Sequence, residues 1–144
     1  MTRLSAAIKS FFLAALFATS LQAGAQEAIK VVYHMSEGIP QASRAIGNIR
    51  NHLAADPTAK IVVVTHGAGI DFLLDGAVNT SQQSFAGAIG DLAAKGVEFR
   101  VCNNTLVARN IDPAKVAMEA RVVPSGVSEV ARLQAREGYA YLRP

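Results

Sequence analysis

Lys60-Ile61-Val62-Val63-Val64-Thr65 is a continuous run of β-branched apolar residues with no polar alternation. A strand with water on one face alternates polar and apolar side chains. An unbroken apolar run belongs to a strand covered on both faces, as in a parallel sheet lying between helices. His66-Gly67-Ala68-Gly69 ends the run. Upstream, Ala28 to Met35 (AIKVVYHM) has the composition of a first strand ending near Tyr33 or His34. Between the two, Ile39, Ala42, Ile46, Ile49 and Leu53 recur at steps of three and four and predict a helix over Ile39–Ala55. Pro40 fits its first turn, and Asp56-Pro57 ends it.

Downstream, Ile70 to Leu74 is a short apolar segment, a covering piece or a helical turn, and Gly76 to Thr80 reads as loop. Thr80 or Ser81 is the expected cap of a helix with Phe85, Ala88, Ile89 and Leu92 on one face, stopped at Gly96. Val97 to Cys102 alternates: Val97, Phe99 and Val101 point one way, Glu98, Arg100 and Cys102 the other. Asn104 is the expected cap of a short helix through Arg109, and Asp112-Pro113 is a second helix start. Arg121 to Val123 is a fourth strand. Ser125 caps a helix bearing Val127, Val130, Ala131 and Leu133 up to Gly138, and Tyr139 to Leu142 is a last short strand. Strand and helix alternate throughout, so the fold class is α/β with a mostly parallel sheet of about five strands.

The 144 residues suit one domain. Arg3 and Lys9 precede or open an apolar run, Phe11 to Leu21, that is too short to span a bilayer and is followed by Ala23-Gly24-Ala25. This pattern predicts a signal peptide over residues 1–25, cleaved after Ala25, a single domain over 26–144, and a periplasmic or secreted protein. Of the 14 basic and 11 acidic residues, only Arg3 and Lys9 fall in that segment, so the remainder carries +1. No basic stripe for nucleic acid is present. No second apolar run is long enough for a membrane helix, so no membrane association is expected after cleavage.

Ligands of such sheets bind beyond the carboxyl ends of the strands. Three strands end in chemically capable residues: Tyr33-His34, His66 and Cys102. If the strands are neighbours, these groups share one edge of the sheet. Cys102, the lone cysteine, has no internal disulfide partner. It precedes a helix start, where free N–H groups favour the thiolate. Arg100 shares its strand face, and Asn103, Asn104 and Thr105 surround it with amide and hydroxyl groups. The opposing reading is a buried, inert thiol. His66 is a base, a ligand or a loop-satisfied structural residue, and Gly67 and Gly69 let backbone N–H groups approach an anion. His52 is expected to be solvated, and Asp71 and Asp75 to be surface carboxylates.

Three pieces carry a family likeness: VVVTHGAGIDFLL, EFRVCNNTLVARNI and VVPSGVSEVARLQAREGYAYLRP. Over Ile29 to Pro144 the chain resembles the DsrE/DsrF-like family, which includes sulfur-relay subunits. Cys102 at a strand end, followed by small or polar residues, Leu106 and Arg109, is similar to the segment with the sulfur-carrying cysteine of relay members. The His66-Gly67 turn and the Gly-Tyr-x-Tyr ending look like a less characterised, often exported branch. The resemblance implies a three-layer α/β/α domain and assembly as homo- or hetero-oligomers such as trimers or hexamers. It also implies a Cys102 that accepts sulfane sulfur as a persulfide, with a donor or acceptor protein as partner and no cofactor. Known relay members work in the cytoplasm, feeding tRNA thiolation or handling sulfur oxidation.

Three function classes follow. The first is a periplasmic carrier of sulfur on Cys102, with Arg100, Asn104 and the helix start stabilising the anion. The second is a binding protein in which His34, His66 and Cys102 hold copper or zinc. The third is a partner-binding module with an incidental cysteine, in which Phe72 to Leu74 contributes to an oligomer face or to the core.

Overall fold

The computed structural model describes residues 27–144. The expected signal peptide and its cleavage site after Ala25 lie outside the described residues. The strands are β1 (Lys30–Met35), β2 (Lys60–Thr65), β3 (Glu98–Cys102), β4 (Ala120–Val123) and β5 (Ala140–Leu142). The helices are α1 (Ile39–Ala55), α2 (Ala86–Ala94), α3 (Asn103–Ala108) and α4 (Gly126–Glu137). Single-sheet order is β4-β3-β2-β1-β5, and every pairing is parallel. This is the expected α/β class, in three layers.

The order of the strands explains the layers. From β1 to β4 each crossover steps the same way across the sheet, while β4 to β5 returns across the other strands. Right-handed crossovers made in opposite directions place their helices on opposite faces. Accordingly, Tyr33, Met35, Ile61, Val63, Phe99 and Val101 pack with α1, α2 and the 3-10 segment Gly67–Leu73 into the larger core. On the other face α4 alone contacts β1, β2 and β3. There Val32, Val62 and Val64 meet Val130 and Leu133, with the half-buried Tyr139 packed against them. Full burial of each such side chain contributes about 1.5–3 kcal/mol, so the two faces differ greatly in apolar stabilisation.

The alternation read in β3 holds, with Phe99 and Val101 on the larger core and Arg100 and Cys102 beneath α4. Phe72 and Leu73 are buried in the larger core, and the Phe72 ring meets Phe85 and Phe99 edge-on. Of the two roles open to this segment, oligomer face or core, the structure shows the core role.

Three helix starts differ from expectation. The α2 helix begins at Ala86 rather than after Thr80 or Ser81. The Asn79 carboxamide oxygen accepts the N–H groups of Ser81 and Gln83 and folds that stretch into a turn, with Gln82 at φ +61°. The α3 helix begins at Asn103, which makes Cys102 itself the capping residue in place of Asn104. Asp112-Pro113 starts only a single 3-10 turn, Pro113–Lys115, in which the Asp112 carboxylate accepts the Ala114 N–H.

Candidate functional site

The carboxyl ends of β1, β2 and β3 are neighbours, as a shared site requires. Thr65 pairs with Val101, so His66 lies beside Cys102, and His34 pairs with Val64, two residues behind His66 on the same face. Even-numbered residues of the three strands face α4, and all three candidate side chains therefore rise on that face.

Cys102 is 4% exposed. Burial pushes its thiol up, but hydrogen-bond donors outweigh burial, and the pKa lies below the ordinary thiol value. In order of effect the groups that favour the thiolate are the Gly126 N–H, the Thr105 hydroxyl and N–H, and the Asn104 N–H, the last shared with the Pro124 carbonyl at 3.4 Å. Two chain segments thus converge on one sulfur: the first turn of α3 follows it directly, and the start of α4 is carried over it by the β4 crossover. Gly126 makes the second approach geometrically feasible. A Cβ there would lie 3.0 Å from Thr65 O, 3.1 Å from His66 Cβ and 3.2 Å from Cys102 Cβ.

Thr105 holds the two sides of the site together. Its hydroxyl oxygen accepts the Gly67 N–H at 2.9 Å, which leaves the hydroxyl proton for Cys102. Gly67 has φ +56°, a left-handed conformation that glycine adopts without strain. Its carbonyl accepts Arg109 Nη1 at 3.2 Å, and the same nitrogen pairs with Asp71 at 2.6 Å. Asp71, expected as a surface carboxylate, thus braces the loop. At Gly69 a Cβ would fall 2.3 Å from Met35 O, so the loop after β2 presses directly on the end of β1. Gly67 and Gly69 set backbone proximity within the protein; the Gly67 N–H is already bonded to Thr105.

Arg100 does not reach the role expected of it. It is 6% exposed and paired with Glu98 at 2.6 Å and with Glu129 of α4. Glu129 also accepts Arg132 Nε at 3.0 Å and Nη2 at 2.9 Å, and Arg132 continues to Glu137. Arg132 first, and then Arg100, hold the Glu129 carboxyl below its ordinary value against burial, which pushes it up. The guanidinium of Arg100 is therefore a clamp between β3 and α4, and the donors to the sulfur are backbone and hydroxyl groups. Asn103 is half-buried and the Asn104 side chain exposed. Asn104 acts on the sulfur through its backbone N–H.

The two histidines meet each other. His34 Nε2 lies 2.6 Å from His66 Nε2, and His34 Nδ1 lies 2.7 Å from the Tyr141 hydroxyl of β5. Burial lowers both imidazole pKa values; His66 and Arg143 add to the effect at His34, and Arg143 at His66. Both rings are thus held in the neutral form. His52, expected to be solvated, is half-buried with its Nδ1 3.0 Å from the Tyr33 hydroxyl. Among the described residues, no three His, Cys, Asp or Glu side chains converge as a metal-binding group. The expected trio of His34, His66 and Cys102 is corrected accordingly: the imidazole nitrogens turn to each other, and the sulfur turns to the helix starts.

Gly126, Glu129 and Tyr141 were not singled out by the sequence reading. Gly126 follows a recognised cap, Ser125, and its smallness there was the available signal. Glu129 lies 29 residues from Arg100, and no local pattern links them.

The model of the DsrE/DsrF-like family matches residues 10–144. A protein of unknown function from Methanobacterium thermoautotrophicum, MTH1491, is similar in structure with a TM-score of 0.72 and 32% identity, over 81% of this chain and 99% of that one. The ychN protein from E. coli shares the fold, with a TM-score of 0.64 and 12% identity, over 81% of this chain and 98% of that one. No curated protein matches the chain.

Proposed function

This chain belongs to the DsrE/DsrF-like family, and from that premise we propose that it is a periplasmic sulfur carrier working through Cys102. The observation that carries the reading is the group of donors on Cys102, the Gly126 N–H, the Thr105 hydroxyl and N–H and the Asn104 N–H, which favour the thiolate against burial. A thiolate is the nucleophile of sulfur exchange. Cys102 attacks the outer sulfur of a sulfane donor R–S–SH. The donor S–S bond breaks, its electron pair leaves on RS⁻, and Cys102 carries –S–SH. The same donors hold the sulfur as it recovers its negative charge on unloading. Export through residues 1–25, a donor or acceptor protein as partner, and a trimeric or hexameric assembly complete the proposal.

The test is intact mass after incubation with small sulfane donors. Wild type gains the mass of one sulfur atom, removable by a reducing thiol, and Cys102→Ser gains none while unfolding at an unchanged temperature. A wild-type protein that takes no sulfur from any donor overturns the reading.

A further inference from the structure

We propose that Tyr141, His34 and His66 form a proton relay serving thiols that arrive at Cys102, with His66 as the residue that takes the incoming proton. This inference rests on the carrier reading for its biological purpose, but its chemistry is testable without it.

The three groups form a chain with two short hydrogen bonds, Tyr141 hydroxyl to His34 Nδ1 at 2.7 Å and His34 Nε2 to His66 Nε2 at 2.6 Å. One end is Tyr141, on an edge strand and 40% exposed. The other end is His66, whose Cβ and that of Cys102 both lie just over 3 Å from a Cβ built at Gly126. Among the described residues none hydrogen-bonds His66 Nδ1, the ring nitrogen that the contact with His34 leaves free. The groups facing the pair are few. Cys102 comes from β3, Tyr141 from β5, and Arg143 from beyond β5, where it pairs with Glu37 at 2.7 Å. From α4 the facing residue is Gly126, which has no side chain.

Two neutral imidazoles in contact share one proton between their Nε2 atoms. In the receptive tautomer His66 Nε2–H donates to His34 Nε2, His34 Nδ1–H donates to the Tyr141 oxygen, and His66 Nδ1 keeps its lone pair. An acceptor thiol R–SH gives its proton to Nδ1 as its sulfur attacks the outer sulfur of Cys102–S–SH. The persulfide S–S bond breaks, its electron pair stays on Cys102 as thiolate, and R–S–SH departs. His66 passes its Nε2 proton to His34, His34 passes its Nδ1 proton to Tyr141, and the phenol proton goes to water. Each ring ends neutral with its tautomer exchanged. No oxidant is needed, because the sulfane sulfur moves without a net change in redox state. Later return of the protons through the same chain resets it.

The test uses the full-length folded protein with Cys102 held as a mixed disulfide with 2-mercaptoethanol, so it runs even in a chain that never accepts persulfide. Cysteine is added as the incoming thiol, and release of Cys102 is followed by intact mass from pH 6.5 to pH 10. At pH 6.5 a thiol with pKa of about 8.5 is only about 1% thiolate, so base assistance is most visible there. Compared with wild type, His66→Gln is expected to be about 10- to 100-fold slower at pH 6.5 and equal at pH 10. His34→Gln and Tyr141→Phe fall in between, in that order. Alkylation of free Cys102 by iodoacetamide, which brings no proton, stays unchanged. Three results overturn the relay: variants equal to wild type at every pH, a loss of the same size at every pH, or a parallel fall in alkylation. A protein that shows the pH-dependent loss but takes up no sulfane sulfur retains the relay and overturns the carrier reading alone.

Discussion

The two faces of the sheet use opposite means to hold their helices. The α1/α2 face is held by apolar packing from Tyr33 through Phe99. The α4 face has five buried apolar residues, and α4 is tied to β3 by the Arg100–Glu129 pair, which Glu98 on the strand and Arg132 and Glu137 on the helix extend. All the candidate chemistry, Cys102, His34, His66 and Tyr141, stands on this second face. The contrast teaches that a single return crossover leaves a sheet face thin enough for polar residues to enter it, while the opposite face supplies the stability.

The largest difference between the faces is expected on charge removal. Glu129→Gln leaves Arg100 buried without its α4 partner and should cost about 3–5 kcal/mol, measured by urea unfolding at neutral pH. Leu92→Ala, on the apolar face, should cost a similar 2–5 kcal/mol, but the two losses separate with pH. The Glu129 carboxyl is held below its ordinary value. Its contribution is therefore complete above the unfolded carboxylate pKa and is lost as pH falls through the lower folded value. Wild type and Leu92→Ala should lose stability in parallel on acidification, and Glu129→Gln should show a flatter acid limb. Parallel acid limbs in all three proteins would erase the distinction.

Next in size is Gly126→Ala. Its Cβ meets two Cβ atoms and a carbonyl at 3.0–3.2 Å, and such overpacking costs about 1–3 kcal/mol. Moving the start of α4 away also withdraws a donor from the sulfur, so Cys102 alkylation at neutral pH should slow. Alanine at Gly87, where a Cβ meets nothing within 4 Å, serves as the contrasting substitution and should leave both stability and alkylation unharmed. The smallest effect is expected for Thr105→Val, which keeps the shape and removes one hydroxyl. A hydrogen bond to a charged group is worth about 1.5 kcal/mol, so alkylation near neutral pH should fall about tenfold. An unchanged rate would show that the backbone N–H groups suffice.

Elements whose residues declare themselves within a few positions were legible in the sequence. The unbroken KIVVVT run, the spacing from Ile39 to Leu53 and the alternation before Cys102 each report local geometry, and all appear as read. The start of α2 was not legible, because one side chain, Asn79, captures two backbone N–H groups and competes with the helix. The place of Cys102 at the end of β3, directly before a helix start, was legible from the sequence. The role of Arg100 was not, since its meaning depends on Glu129, which only the β4 crossover brings near. Likewise, the meeting of His34, His66 and Tyr141 depends on β1 lying between β2 and β5, a fact about strand order that no local pattern encodes.

The return crossover also sets an order in time. The chain is made from its N-terminus, and β1 to β4 lie side by side in the order of their synthesis. The apolar face can therefore close, and Cys102 take its place on β3, before α4 has emerged. Gly126 and Tyr141 come last. A nascent or truncated chain ending near residue 120 would present Cys102 without the Gly126 donor and the histidines without their tyrosine. On the carrier reading, the sulfur gains its full set of donors only when the segment after β4 folds back across the sheet.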